Sequence, residues 1–115
     1  MRTVLCSSSF GTTINSPSVC AERRHIQKLI HIAKKKGIHK QNISKWMQSE
    51  VDLTIMRFLK NGEYATSFPC ILCRQAMARY QIKWTAFHDG KWVSSEDENL
   101  PESKLTSRQR YVFSK

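Results

Sequence analysis

Two short cysteine motifs, set fifty positions apart, constrain this chain more than anything else in it. Cys20-Ala21-Glu22 and Pro69-Cys70-Ile71-Leu72-Cys73 each open a stretch with helical apolar spacing. After the first, Ile26, Leu29, Ile30 and Ala33 fall at i, i+3, i+4 and i+7, with Lys28, His31, Lys34 and Lys35 facing away. After the second, Leu72, Ala76 and Tyr80 share one face of a predicted helix over 70–80. Two helix N-termini placed together make a positive field, which lowers thiol pKa values and favours thiolates. A fold that brings the motifs together must therefore lay two helices side by side and return the chain between them. Residues 51–59 can make that return as a strand, with Leu53, Ile55, Met56 and Phe58 giving it apolar residues on both faces.

The remaining elements follow from local signals. Residues 2–5 read as a short first strand and 6–18 as a polar loop. Gly37 follows Lys34-Lys35-Lys36, where cations suit a helix C-terminus and glycine suits the position just beyond it. A shorter helix is expected over 41–48, burying Ile43, Trp46 and Met47. Asn61-Gly62 signals a hairpin with a return strand at 63–65, and Asp89-Gly90 a second tight turn between a strand at 82–87 and Trp92-Val93. Trp46, Trp84 and Trp92 read as core; His25, His31, His39 and His88 as surface or packing residues; Cys6 as a free or buried thiol. Residues 94–103 form an acidic linker, and Tyr111-Val112-Phe113 could return to the core. The order of elements describes a three-layer α/β domain around a small mixed sheet. It spans 1–115 as one domain, with 1–17 as N-terminal strand and loop, 34–48 as a basic insertion and 94–115 as acidic linker and C-terminal segment.

The cysteines carry the chemistry. Cys70 and Cys73, three apart at a helix start, can point at one ion, and alone they would fit a redox dithiol or a structural zinc knuckle equally well. Cys20 supplies a third ligand from the other helix. Three protein ligands on Zn²⁺ leave a fourth position for water, as catalytic zinc sites do. Glu22, two residues after Cys20, is placed to hydrogen-bond that water without binding the metal. Arg23 and Arg74, each directly after a motif, could offset the charge of three thiolates by donating to the sulfurs.

These stretches, Ser18-Val19-Cys20-Ala21-Glu22-Arg23 and Pro69-Cys70-Ile71-Leu72-Cys73-Arg74-Gln75, resemble the zinc-dependent cytidine deaminase superfamily. They look most like its three-cysteine members, and the resemblance covers roughly residues 18–87. It implies a cytidine-deaminase-like domain with Cys20, Cys70 and Cys73 on Zn²⁺, Glu22 as proton shuttle and Arg23 balancing the thiolates. The carbonyl of Phe68, just before Pro69, would accept from a substrate amino group, and Asn15 would take a ribose-binding role. The implied reaction is hydrolytic deamination of a cytosine-type nucleobase or nucleotide. Only nineteen residues precede Cys20, where the family usually has a helix and two strands, and the basic segment lengthens the gap between motifs.

Charge points to partners. Nineteen Lys and Arg face nine Asp and Glu, a formal net charge of +10, and no acid lies between Glu22 and Glu50. Arg24, Lys28, Lys34, Lys35, Lys36, Lys40 and Lys45 make a segregated positive face fitted to a polyanion, with RNA favoured. A second function is therefore an inactive deaminase-fold subunit that binds RNA within a large ribonucleoprotein such as an organellar ribosome, or within a homo-oligomer. No apolar run approaches the ~20 residues of a membrane helix. Four cysteines in a basic chain, with no continuous apolar stretch before Cys20, read as intracellular rather than secreted.

Overall fold

A computed structural model describes residues 3–98 and residue 100 of the chain. Its strands β1 (Val4–Ser8), β2 (Gly11–Ile14), β3 (Asp52–Arg57), β4 (Lys83–His88) and β5 (Lys91–Ser94) form one mixed sheet in the order β2-β1-β3-β4-β5. β1 is antiparallel to both neighbours, β3 and β4 are parallel, and β4 and β5 form an antiparallel hairpin. Three helices, α1 (Ala21–Lys35), α2 (Ile43–Glu50) and α3 (Ile71–Arg79), pack against the sheet. The α/β class expected from the order of elements is the one observed, and the three described helices share one core on one face of the sheet.

Strand alternation decides which side chains meet the helices. Cys6 pairs with Ile55, Ile55 with Ala86 and Ala86 with Val93, and all four are buried in one line across the sheet. Leu53 and Trp84, paired one step along, extend it. They share a core with Ala21, Ile26, Leu29 and Ala33 of α1, Ile43 and Met47 of α2, and Met77 of α3. Among the described residues no helix is long and apolar enough to cross a membrane.

The helix ends follow their local chemistry. α1 stops in two paired hydrogen bonds, Gly37 N–H to the Lys34 carbonyl and Ile38 N–H to the Ala33 carbonyl, with Gly37 at φ +78°. This is the Schellman arrangement, and its left-handed residue is one that glycine adopts without strain. Between β4 and β5, Asp89 and Gly90 both have positive φ (49° and 83°), the signature of a type I′ turn.

Four expectations need correction. The segment 6–18 is not a loop throughout: β1 runs on to Ser8 and β2 follows, because Thr12 and Thr13 find paired partners in Ser7 and Cys6. The return strand at 63–65 reduces to a single bridge between Phe58 and Tyr64. There Ser67 pulls the chain inward, its hydroxyl donating to the Ile55 carbonyl at 2.8 Å. On α3 the buried positions are Cys73 and Met77, with Ala76 and Tyr80 only partly covered, since the metal motif turns that face to α1. Trp92 is 41% exposed rather than core, because alternation sends it to the face opposite Val93. Tyr111-Val112-Phe113 lies outside the described residues.

Candidate metal centre

Cys70 opens the helix that follows β3, one of the two parallel strands, where α/β sheets place their sites, and Cys20 opens the helix that follows the antiparallel β2. Cys20 is the N-cap of α1 and Cys70 the N-cap of α3, both in extended backbone, and neither side chain caps its own helix. Both thiols are thus released from the usual capping role. Helix closure begins at once beneath them, Arg24 N–H donating to the Cys20 carbonyl and Arg74 N–H to the Cys70 carbonyl. Cys73, one turn into α3, is fully buried between the two helices.

The three sulfurs lie within 4.8 Å of one another. Cys70 Sγ is 3.8 Å from Cys20 Sγ and 3.4 Å from Cys73 Sγ. Zinc–sulfur bonds of about 2.3 Å at tetrahedral angles put ligand sulfurs about 3.8 Å apart, so the cluster has the size a single ion needs. Electrostatics agrees with the geometry. Hydrogen bonding to Cys70 is the largest of the causes that raise the Cys20 pKa, and hydrogen bonding to Cys20 and Cys70, then burial, drives Cys73 up strongly. Three thiols so close cannot all ionise against each other, and a cation among them removes that cost. These residues could hold a metal ion.

Charged side chains border the sulfurs. Glu22 is 4% exposed, and burial, opposed by its own backbone N–H and the Cys73 thiol, pushes its carboxyl up from 4.5 to about 6. A carboxyl near 6 holds and releases a proton close to neutral pH. Arg23 donates from Nη2 to Cys20 Sγ at 3.7 Å, the placement expected for balancing thiolate charge. Arg74 lies over aromatic rings, 5.5 Å from the centroid of Phe68 and 6.0 Å from that of Trp84.

Phe68 forms the rim. Its ring lies 5.6 Å from Trp84 and 5.2 Å from His88, and Pro69 beside it is fully buried. Asn15 stands at the end of β2, where its amide oxygen accepts the Val4 N–H at 2.9 Å and so closes the end of the first hairpin. Of the basic residues, Arg24, Lys28, Lys34, Lys35, Lys36, Lys40 and Lys45 are all exposed, spread along α1, the 3₁₀ turn Lys40–Asn42 and α2. Arg24 Nη1 donates to the Ile14 carbonyl at 2.6 Å, fastening α1 to the end of β2.

Two histidines matter more than their sequence context implied. His25 is fully buried one turn beyond Glu22, with Nε2 2.8 Å from Ser8 Oγ and Nδ1 2.7 Å from Thr13 Oγ1. It ties α1, the helix that Cys20 opens, to both strands of the first hairpin. His88 ends β4 against Phe68, and its buried Nδ1 has no partner among the described residues. The available signal was its position at the carboxyl end of a strand parallel to β3. Cys6, fully buried beneath the helices, has its thiol pushed up by burial and then by Glu22, and it stays outside the three-sulfur cluster.

No protein-family model, no curated protein and no solved structure matched this chain when it was compared with them.

Proposed function

We propose that the three-cysteine centre holds Zn²⁺ and that the protein is a hydrolytic deaminase of a cytosine-type nucleobase or nucleotide. The observation that carries the reading is the buried Glu22 beside the three convergent sulfurs, its carboxyl pushed up to about 6 by burial. A purely structural metal site has no use for such a carboxyl, since burying it costs stability. Thiolate donors at this spacing favour zinc among the common divalent ions, and three of them leave one position open. When bound, zinc supplies Lewis-acid activation of a water near neutral pH.

The chain's own groups account for the rest. Glu22 takes a proton from the attacking water and delivers it toward the departing amino group, which leaves as ammonia. Arg23, at 3.7 Å from Cys20, draws electron density from that sulfur and limits the negative charge of the cluster. The Phe68 carbonyl, just before the buried Pro69, would accept from the substrate's amino group. Asn15, at the end of the first hairpin, is the candidate contact for a ribose.

Metal-loaded protein should release ammonia from cytidine, deoxycytidine or deoxycytidylate. Glu22→Gln should keep its metal and lose activity by a factor on the order of 10²–10⁴. Release unchanged in that variant would overturn the assignment of Glu22. A second reading rests on the seven exposed cations and the acid-free stretch between Glu22 and Glu50. In it the fold is an RNA-binding subunit that keeps its metal for stability. Salt-sensitive RNA binding without ammonia release from any cytosine compound would favour it.

A further inference from the structure

The second face of the sheet carries an ordered surface. Alternation sends Leu5, Met56, Phe87 and Trp92 away from the buried line that faces the helices, together with Ile14, which pairs with Leu5. Met56 pairs with Leu5 and Trp92 with Phe87, so an apolar row crosses all the strands, about 19 Å at ~4.8 Å per strand. Two residues along, a second row is made wholly of hydroxyls. Thr12 pairs with Ser7, Ser7 with Thr54, Thr54 with Thr85 and Thr85 with Ser94.

At its β4–β5 end the apolar row widens into an aromatic platform. Tyr64 lies 5.0 Å from Phe58, 5.5 Å from Phe87 and 4.8 Å from Trp92, and Phe87 lies 5.3 Å from Trp92. Phe58, Tyr64 and Trp92 nevertheless keep 48%, 41% and 41% of their surface exposed, and Ile14 keeps 49%. No described helix covers them. Exposed Lys60 and Glu63 lie in the loop between Phe58 and Tyr64, while Lys91, paired with His88, falls on the helix side by the same alternation.

We infer that this face is a docking surface for single-stranded RNA. Rings with exposed faces stack unpaired bases whatever their identity, which duplex bases cannot offer. The hydroxyl row can donate and accept along base edges and 2′-hydroxyls, a group that DNA lacks. The formal charge of +10 favours a polyanion and opposes docking of a second, equally charged copy. The surface is the opposite side of the sheet from α1 and α2, where the clustered lysines lie, so it is a different site from the one their charge marks. It does not depend on the metal centre or on deamination.

The test uses the full unsubstituted chain with a fluorescein-labelled oligouridine twelve nucleotides long, whose bases carry no amino group for a deaminase to remove. Anisotropy should show tighter binding of this strand than of duplex RNA or of single-stranded DNA of equal length. Trp92→Ala and Tyr64→Ala should each weaken it about fivefold or more, as loss of one stacking partner does. Thr54→Val with Thr85→Val should narrow the preference for RNA over DNA. Far-ultraviolet circular dichroism of each variant reports whether the fold is intact. Should a ring variant fail to fold, quenching of Trp92 emission, read in a Trp46→Phe background because Trp46 is also partly exposed, gives the same readout, with Trp84 only 4% exposed. Unchanged affinity in the ring variants overturns the inference, as does binding that prefers duplex or that only Lys34→Glu with Lys35→Glu removes. So does a concentration-dependent dimer abolished by Trp92→Ala, which would assign the face to a second copy.

Discussion

Acid should destabilise this fold through His25. Its ring is fully buried and both nitrogens are engaged by hydroxyls, from Ser8 on β1 and Thr13 on β2. Burial, helped by Lys28, lowers its pKa from 6.5 to about 4. Between those values the unfolded chain binds a proton that the folded chain refuses, so this group's contribution is complete above pH 6.5 and fades as pH falls toward 4. At about 1.4 kcal/mol per pH unit, roughly 2.5 kcal/mol is lost by pH 4.5. Glu22 acts with the opposite sign. Its carboxyl is raised from 4.5 to about 6, so the folded state takes up a proton first and gains up to about 2 kcal/mol on acidification. By pH 4.5 the Glu22 gain is about 1.6 kcal/mol, so the unsubstituted protein still loses about 1 kcal/mol, and a substitution separates the two groups. Urea unfolding of metal-free protein, followed by circular dichroism at pH 7 and pH 4.5, should show His25→Gln losing about 2.5 kcal/mol less than the parent over that interval. Equal pH dependence in the two proteins, or a His25 ring that titrates near 6.5 by NMR, would refute the reasoning.

Other outcomes follow from the same geometry. Cys70→Ser should reduce bound metal from near one per chain to a small fraction, measured by elemental analysis after dialysis. In the parent protein a chelator should lower Tm, while in Cys70→Ser it should not. Leu29→Ala, at a site with no exposure, should cost about 3–5 kcal/mol in chemical denaturation, as truncation in a packed core does. Gly90→Val, at φ +83°, should cost about 1–2 kcal/mol from backbone strain alone, because open space surrounds the position.

The metal motif, the end of α1 and the β4–β5 turn were legible in the sequence because each depends on residues within a few positions of one another. Cys70 and Cys73 lie three apart on one helix, Gly37 directly follows a basic helix end, and Asp89-Gly90 makes a two-residue turn. The apolar spacing of Ile26, Leu29 and Ala33 likewise named the buried side of α1. Where pairing partners were distant, the same residues were silent. Gly11–Ile14 is mostly polar and became a strand only because Thr12 and Thr13 met β1 in register. His25 looks like one more surface group in a basic helix until two hydroxyls from separate strands enclose it. Trp92 has the composition of a core residue, yet pleat alternation fixed by the pairing of Ala86 with Val93 turned it outward. The sequence alone thus determined which side chains can bind metal and where helices begin and end, since those depend on short-range backbone geometry. Tertiary structure decided that Cys20 would stand 3.8 Å from Cys70 and that Glu22 would be buried beside them. Those facts arise from a sheet whose strands are paired across tens of residues, and no local signal encodes them.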